Sequence, residues 1–385
     1  MSAAYQGLKV LDFTTTIAGP HCTRLMADLG ADVIKIESSE GDMMRTRPPL
    51  RKGASTSFGQ LNVGKKSVVL DLKSKASIAA AARLAAEADV LVENYRPGVM
   101  KRFGLDYATL AARHPRLVYC SISGFGQTGP SADLAAYAPV IHATSGYDLA
   151  HLSHQRGRTQ PDNCGIYIAD VLTGTYAFGA IGAALHQRAA TGKGQHIDVS
   201  MLESMLSLTL TEMQAAQFEV PPPPSRPIFG PVATRDGYIH IAVASERTFQ
   251  NLAAAAGRRD WITDPRFEKY LDRRGNWGPL MDEFEVWSKT LTNSECLAAL
   301  DKAGVPAAAY RTVKEAMADP QLLHRKAFNE VADAGGTFKA LNPPFRLSAS
   351  RTETGPRVPA LGEHTREVMA AVGLSTAEID EVTKA

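Results

Sequence analysis

The first two hundred residues alternate short apolar runs with helix-like stretches, and this alternation narrows the fold more than any other feature. "LKVLDF" (8–13), "DVIKIE" (32–37), "SVVLDL" (67–72), "DVLVEN" (89–94), "LVYCSIS" (117–123) and "GQHIDVS" (194–200) each read as a strand. Between them lie "PHCTRLMADLG" (20–30), opened by proline and closed by glycine, the alanine-rich run 77–88, and "DYATLAARHP" (106–115). Strands covered by helices on both faces are apolar throughout rather than alternating. The pattern therefore predicts an α/β protein with a mainly parallel sheet.

The stretch "IADVLTGTYAFGAIGAALHQR" (168–188) predicts a further helix, free of charge from residue 173 to 185. Its small residues Gly174, Ala177, Gly179, Ala180, Gly182, Ala183 and Ala184 allow another backbone to approach closely. Asp170 stands at its start and has two readings. As a cap, its carboxylate takes free N–H groups of the first turn. As a nucleophile, it sits ionised but poorly solvated at the positive end of a helix. A long methionine-rich helix is expected from Met201 to about Phe218, with Met201, Met205 and Met213 filling core. The clearest break is "EVPPPPSRP" (219–227), whose four consecutive prolines make a stiff spacer. Beyond it come a turn and strand, "DGYIHIAVAS" (236–245), helical segments over 248–304, and a tail of strands, loops and one helix.

Bulk properties exclude several classes. A net charge of +2 over 385 residues offers no basic field for nucleic acid. Cys22, Cys120, Cys164 and Cys296 lie far apart with no metal spacing, as expected of reduced thiols. The N-terminal residues lack a secretory pattern and no apolar run is expected to reach membrane-spanning length, which predicts a soluble, cytoplasmic protein. Two apparent nucleotide motifs fail on context. "GFGQTG" (124–129) is followed at once by Pro130 rather than by a helix, and in "GQLNVGKKS" (59–67) Lys66 replaces the expected Ser or Thr before a strand. His151 and His154 in "HLSHQRGR" fall in a loop context, and no metal site is expected.

Taken together, the segments resemble one family, the class III CoA-transferases. The resemblance is carried by "LKVLDFTTTIAGP" (8–20), "LGADVIKIE" (29–37), "KKSVVLDLKS" (65–74), "ADVLVENYRPGVMKRFG" (88–104) and "SISGFGQTGP" (121–130). It continues through "YIADVLTGTYAFGAIGAAL" (167–185), "TGKGQHIDVSMLESML" (191–206) and "LGEHTREVM" (361–369). The resemblance implies a large domain with a Rossmann-like parallel sheet, a smaller inserted α+β domain, and an interlocked homodimer. On this sequence the large domain takes residues 1–200, a helix and linker 201–227, the small domain 228–325, and a returning segment 326–385.

The family's nucleophile falls on Asp170, which the resemblance makes both cap and nucleophile. Its CoA contacts fall on Ile17 and Ala18, on Leu70, Asp71, Leu72 and Lys73, on Asn94, Tyr95 and Arg96, on Arg102, and on Ala136 and Tyr137. Lys73, Arg96 and Arg102 suit the phosphates of CoA. CoA thioester is then a substrate, with no tightly bound cofactor, and the partners are acyl-CoA and a small carboxylic acid. Two departures stand out. Ser38 replaces an arginine that meets the adenosine end in many members, with Arg45 or Arg47 as the expected substitute. The glycine-rich insertion of formyl-CoA transferase is missing, which argues against oxalate/formyl exchange. Histidines and arginines of 151–158 suggest an acceptor with a second carboxylate, such as succinate, itaconate or mesaconate. The alternatives are an α-methylacyl-CoA racemase, whose histidine base is replaced here by Tyr137, and a non-catalytic CoA-binding subunit.

Overall fold

The computed structural model describes residues 2–155, 157–218 and 229–384. Arg156 and the proline run 219–227 lie outside the described residues. The chain divides into two compact units, one of Met1–Leu152, Arg158–Leu210 and Gln321–Ala385, the other of Ser153–Gly157 and Thr211–Pro320.

The larger unit is built on six strands: β1 (Lys9–Asp12), β2 (Asp32–Glu37), β3 (Lys66–Val69), β4 (Val90–Glu93), β5 (Val118–Ser123) and β6 (His196–Ser200). All neighbouring pairs are parallel, in the order β3-β2-β1-β4-β5-β6, which is the Rossmann order. Register aligns Val10 with Val33 and with Val90, and Leu91 with Tyr119. Side chains alternate across the sheet, and both sets are apolar. Leu11, Phe13, Leu91 and Tyr119 pack on one side with Ala81, Leu84 and Ala85 of helix α2 (Lys75–Glu87) and with Met369 and Ile379. Val10, Val33, Val92, Val118 and Cys120 pack on the other with Cys22 and Met26 of α1 (Ala18–Asp28). Two covered faces explain why these strands read as continuous apolar runs.

Further along lie α3 (Ala138–Thr144), α4 (Ile168–Thr191) and α5 (Met201–Leu206). In α4, the small residues do what the sequence suggests: a Cβ at Gly174 would fall 2.3 Å from the Ala18 carbonyl oxygen, so only glycine allows this approach to α1. By length and composition α4 is the one helix among the described residues apolar enough to cross a membrane, contrary to the expectation that no run reaches that length. Its Ala177, Ile181 and Ala184 are instead packed against α1 and the sheet. The expected long helix 201–218 is also corrected, because a break at residues 207–209 separates α5 from α6 (Leu210–Ala215). There the Ser207 hydroxyl donates to the Ser204 carbonyl at 2.7 Å and the Thr209 hydroxyl to that of Leu206 at 2.8 Å. Such back-bonding competes with helix continuation.

The smaller unit has a three-stranded antiparallel sheet (Phe229–Ala233, Tyr238–Ala242 and Ala307–Ala309). Trp261, Phe249, Phe267 and Phe284 are its large buried aromatic side chains, packed with helices Glu246–Ala255, Trp277–Ser288 and Asn293–Ala303.

Candidate active site

In the Rossmann order, ligands bind beyond the carboxyl ends of the strands where the order reverses, here between β1 and β4. A cavity of about 210 Å³ occupies that place. Its walls are Thr15, Thr16 and Ala18 after β1, Asn94, Tyr95, Arg96 and Pro97 after β4, and Ile122, Ser123 and Gly124 at the end of β5. Ala136, Tyr137, Asp170 and Met201 close it.

The two loops are tied together. The Thr15 N–H donates to Asn94 Oδ1 at 2.8 Å, and Asn94 Nδ2 donates to the Thr15 carbonyl at 2.8 Å. Thr16 takes φ +71°, a conformation rarely adopted by a β-branched residue and common at functional sites. The carboxylate of Asp42 accepts its N–H at 3.3 Å and so holds it there.

A buried ionic network lies beneath. Asp12 accepts from the Thr14 N–H at 2.9 Å, the Thr23 hydroxyl at 2.7 Å and Lys65 Nζ at 3.0 Å. Lys35 Nζ donates to the Thr14 carbonyl at 2.7 Å and meets Asp42 at 3.0 Å. Lys65 is thus committed to Asp12 and to no phosphate, and helix Thr56–Asn62 precedes it rather than follows it. No helix opens on 124–129 either.

Asp170 faces the cavity from the first turn of α4. It is not the cap: the N-cap position is Tyr167, whose own side chain makes no capping hydrogen bond. The expectation that Asp170 caps its own helix is therefore corrected. Its carboxylate is turned towards the Ala18 N–H in the first turn of α1. Burial raises its pKa to about 6, against the lowering by that N–H. A raised pKa does not by itself mark the site. Burial also pushes Glu93 up to about 7, yet Glu93 does not line the cavity.

Of the expected CoA-contacting residues, the cavity gathers Ala18, Asn94, Tyr95, Arg96, Ala136 and Tyr137 around Asp170. Ile17, Leu70, Asp71, Leu72, Lys73 and Arg102 do not line it. Leu70 is buried in the core, whereas Lys73 and Arg102 are exposed. Arg45 is held by Glu37 at 2.7 Å, and Arg47 is exposed. In 151–158, His151 falls on helix Tyr147–Leu152 rather than in a loop and stacks on Tyr147, His154 meets Glu212 at 3.3 Å, and Arg158 pairs with Asp162; neither His151 nor Arg158 lines the cavity. No cluster suited to a metal occurs among the described residues.

Sequence reasoning missed Thr15, Thr16 and the buried network. Its signal was present, since Asp12 and Lys35 are charges inside otherwise apolar strands.

The fold and site define an α/β protein with an under-solvated carboxylate at the switch point of a Rossmann-ordered sheet. The profile of CoA-transferase family III matches residues 5–365, and the chain belongs to that family. Succinate–glutarate CoA-transferase of Agrobacterium fabrum is 31% identical over 94% of each chain. Acetyl-CoA:oxalate CoA-transferase of Acetobacter aceti is 35% identical over 93% of each. A CAIB/BAIF family protein from Brucella suis superposes with a TM-score of 0.84 at 34% identity, covering 97% of this chain and 100% of its own.

Proposed function

We propose that this chain moves CoA from an acyl-CoA donor to a free dicarboxylic acid of the C4–C5 class, with Asp170 as nucleophile. The observation that carries the reading is the Asp170 carboxylate, which lines the cavity and faces the Ala18 N–H. The similarity to a succinate–glutarate CoA-transferase supports the acceptor class.

In the proposed sequence Asp170 attacks the donor thioester carbonyl, and the C–S bond of the tetrahedral adduct breaks to release CoA thiolate and leave an aspartyl mixed anhydride. The thiolate then attacks the aspartyl carbonyl, forming an aspartyl-CoA thioester and releasing the donor acid. The acceptor carboxylate attacks that thioester, giving a second anhydride and thiolate again. Attack of the thiolate on the acceptor carbonyl yields the new acyl-CoA and restores Asp170. Only a carboxylate side chain can carry anhydride and thioester in turn. Backbone N–H groups of the cavity wall near Gly124 would stabilise the oxyanions.

Ala18, Asn94, Tyr95, Arg96, Ala136 and Tyr137 would hold the reacting end of CoA. Ile17, the run Leu70, Asp71, Leu72 and Lys73, and Arg102 would serve its remainder, with exposed Arg47 in place of the arginine missing at Ser38. The exposed apolar side chains Val140, Ile166, Tyr167, Val171 and Tyr176 support a homodimer that covers this edge. Cytoplasmic location remains part of the same reading.

The test is trapping. Enzyme incubated with acyl-CoA and hydroxylamine should carry a hydroxamate on Asp170, and Asp170→Asn should bind CoA but lose transfer by at least about a thousandfold. Steady turnover by Asp170→Asn, without deamidation, would overturn the assignment. Exchange of the α-proton of a 2-methylacyl-CoA in D₂O would instead point to a racemase.

A further inference from the structure

The first turn of a helix presents N–H groups with no partner inside the helix, and buried ones must find one. In α4 the Ile168 N–H turns to the Ile166 carbonyl at 2.9 Å, and the Val171 N–H to that of Tyr167 at 3.1 Å. Ala169, between Ile168 and Asp170, is fully buried. Its N–H donates to Nε2 of His142, on α3, at 3.2 Å. His142 is 1% exposed, its ring tilted against Tyr147 with centroids 5.6 Å apart, and Ala169 packs in an apolar cluster with Ile141, Met201 and Met205. An imidazole nitrogen that accepts is unprotonated, so the ring is neutral with its proton on Nδ1. Burial favours that neutral form.

Within the first turn, "YIAD" (167–170), Asp170 carries the only carboxylate or hydroxyl suited to capping a helix start. Without another acceptor, the buried Ala169 N–H would draw that carboxylate back onto its own helix. His142 removes the demand, and the carboxylate is left facing the cavity, near the Ala18 N–H. We propose that His142 is a positioning residue that caps α4 in place of Asp170 and so keeps the carboxylate available to attack the thioester. This rests on the reading of Asp170 as nucleophile.

The test compares His142→Leu with His142→Gln, whose side-chain amide oxygen can reach the place of Nε2. In His142→Leu, kcat for CoA transfer should fall at least about tenfold, while KM for acyl-CoA stays within about twofold. The acid limb of the kcat profile should also move to lower pH, because Asp170 gains a second N–H donor. Arg96, Tyr95 and Tyr137, the other charged or titratable groups of the cavity, are unchanged in both variants. His142→Gln should restore kcat to within about threefold and return the limb to its wild-type position.

Wild-type kcat and acid limb in a folded His142→Leu would overturn the proposal. If that variant does not fold, His142→Asn replaces it, since asparagine reaches only the Nδ1 position. Equal kcat in the Asn and Gln variants would then overturn it. Hydroxamate trapping on the wild type separates the two readings: no trapping defeats the nucleophile, whereas trapping with an unaffected His142→Leu defeats only the positioning role.

Discussion

Asp12, ending β1, and Asp170, opening α4, are two carboxylates served in opposite ways. Asp12 is fully buried and takes N–H, hydroxyl and ammonium donors from Thr14, Thr23 and Lys65. Burial alone would raise its pKa, but Lys65, Lys35 and the two hydroxyls hold it down to about 2. Asp170 is only partly buried, has one backbone donor, and is pushed up to about 6. Burial thus does not decide what a carboxylate is for; the number of donors facing it does. A saturated carboxylate is fixed and inert, whereas one left short of donors keeps lone pairs for an electrophile.

The strongest way to break the comparison is to strip the saturated site. Asp12→Asn leaves Lys65 and Lys35 buried against a neutral group, which should cost about 3–5 kcal/mol of stability at pH 7. The sign can be checked by acid. The folded pKa of Asp12 is lowered, so its contribution is present above its unfolded pKa near 4. It is lost as pH falls through about 2. Urea unfolding of wild type and Asp12→Asn between pH 7 and 2 should therefore show a gap that narrows with acid. A constant gap would mean that the aspartate acts by packing alone.

The Asp170 side predicts the reverse, with a smaller size. Its folded pKa is raised, so the ionised form strains the fold above about 6 and that cost is relieved as pH falls towards 4. Asp170→Asn should gain on the order of 1 kcal/mol at pH 8 and nothing near pH 4, the value being discounted because the group is partly exposed. A cap would behave oppositely and lose about 1 kcal/mol on Asp170→Ala. The same titration should appear in catalysis, with wild-type kcat/KM falling tenfold per pH unit below about 6. Thermal or urea unfolding at the two pH values, beside one pH–rate profile, tests both.

What the sequence revealed and what it hid follow the same division. Six apolar runs sufficed for the parallel sheet, because helices on both faces leave no polar register to misread. Asp170 could be singled out because a charge precedes a long uncharged helix. Its capping role was misjudged because the acceptor that replaces it, His142, lies 27 residues away and is brought near only by tertiary folding. The pairing of Asp12, Lys35, Asp42 and Lys65 was hidden for the same reason. Asp12 and Lys35 stand out as charges in apolar strands, but their partners are known only when β1, β2 and the turn before β3 meet. The break at 207–209 was missed because hydroxyl back-bonding leaves helical periodicity intact.

The smallest expected effect concerns the basic loop that suggested a dicarboxylate. Arg158 pairs with Asp162 four residues on, and its side chain is 57% exposed. An exposed pair of this kind is worth less than about 1 kcal/mol. Arg158→Ala should therefore change the ratio of succinate to acetate as CoA acceptor by less than about fivefold. Arg96, by contrast, lines the cavity with Asp170, and on the proposed function it would meet a substrate anion there. Were Arg158 a ligand for the distal carboxylate, losing a charge-assisted hydrogen bond would cost about 1.5–3 kcal/mol, ten- to over a hundredfold, and only for dicarboxylates. The measurement is the ratio, not either rate alone, because a general disturbance lowers both acceptors together. A selective loss beyond tenfold in Arg158→Ala would mean that this loop, rather than the cavity wall, reads the acceptor.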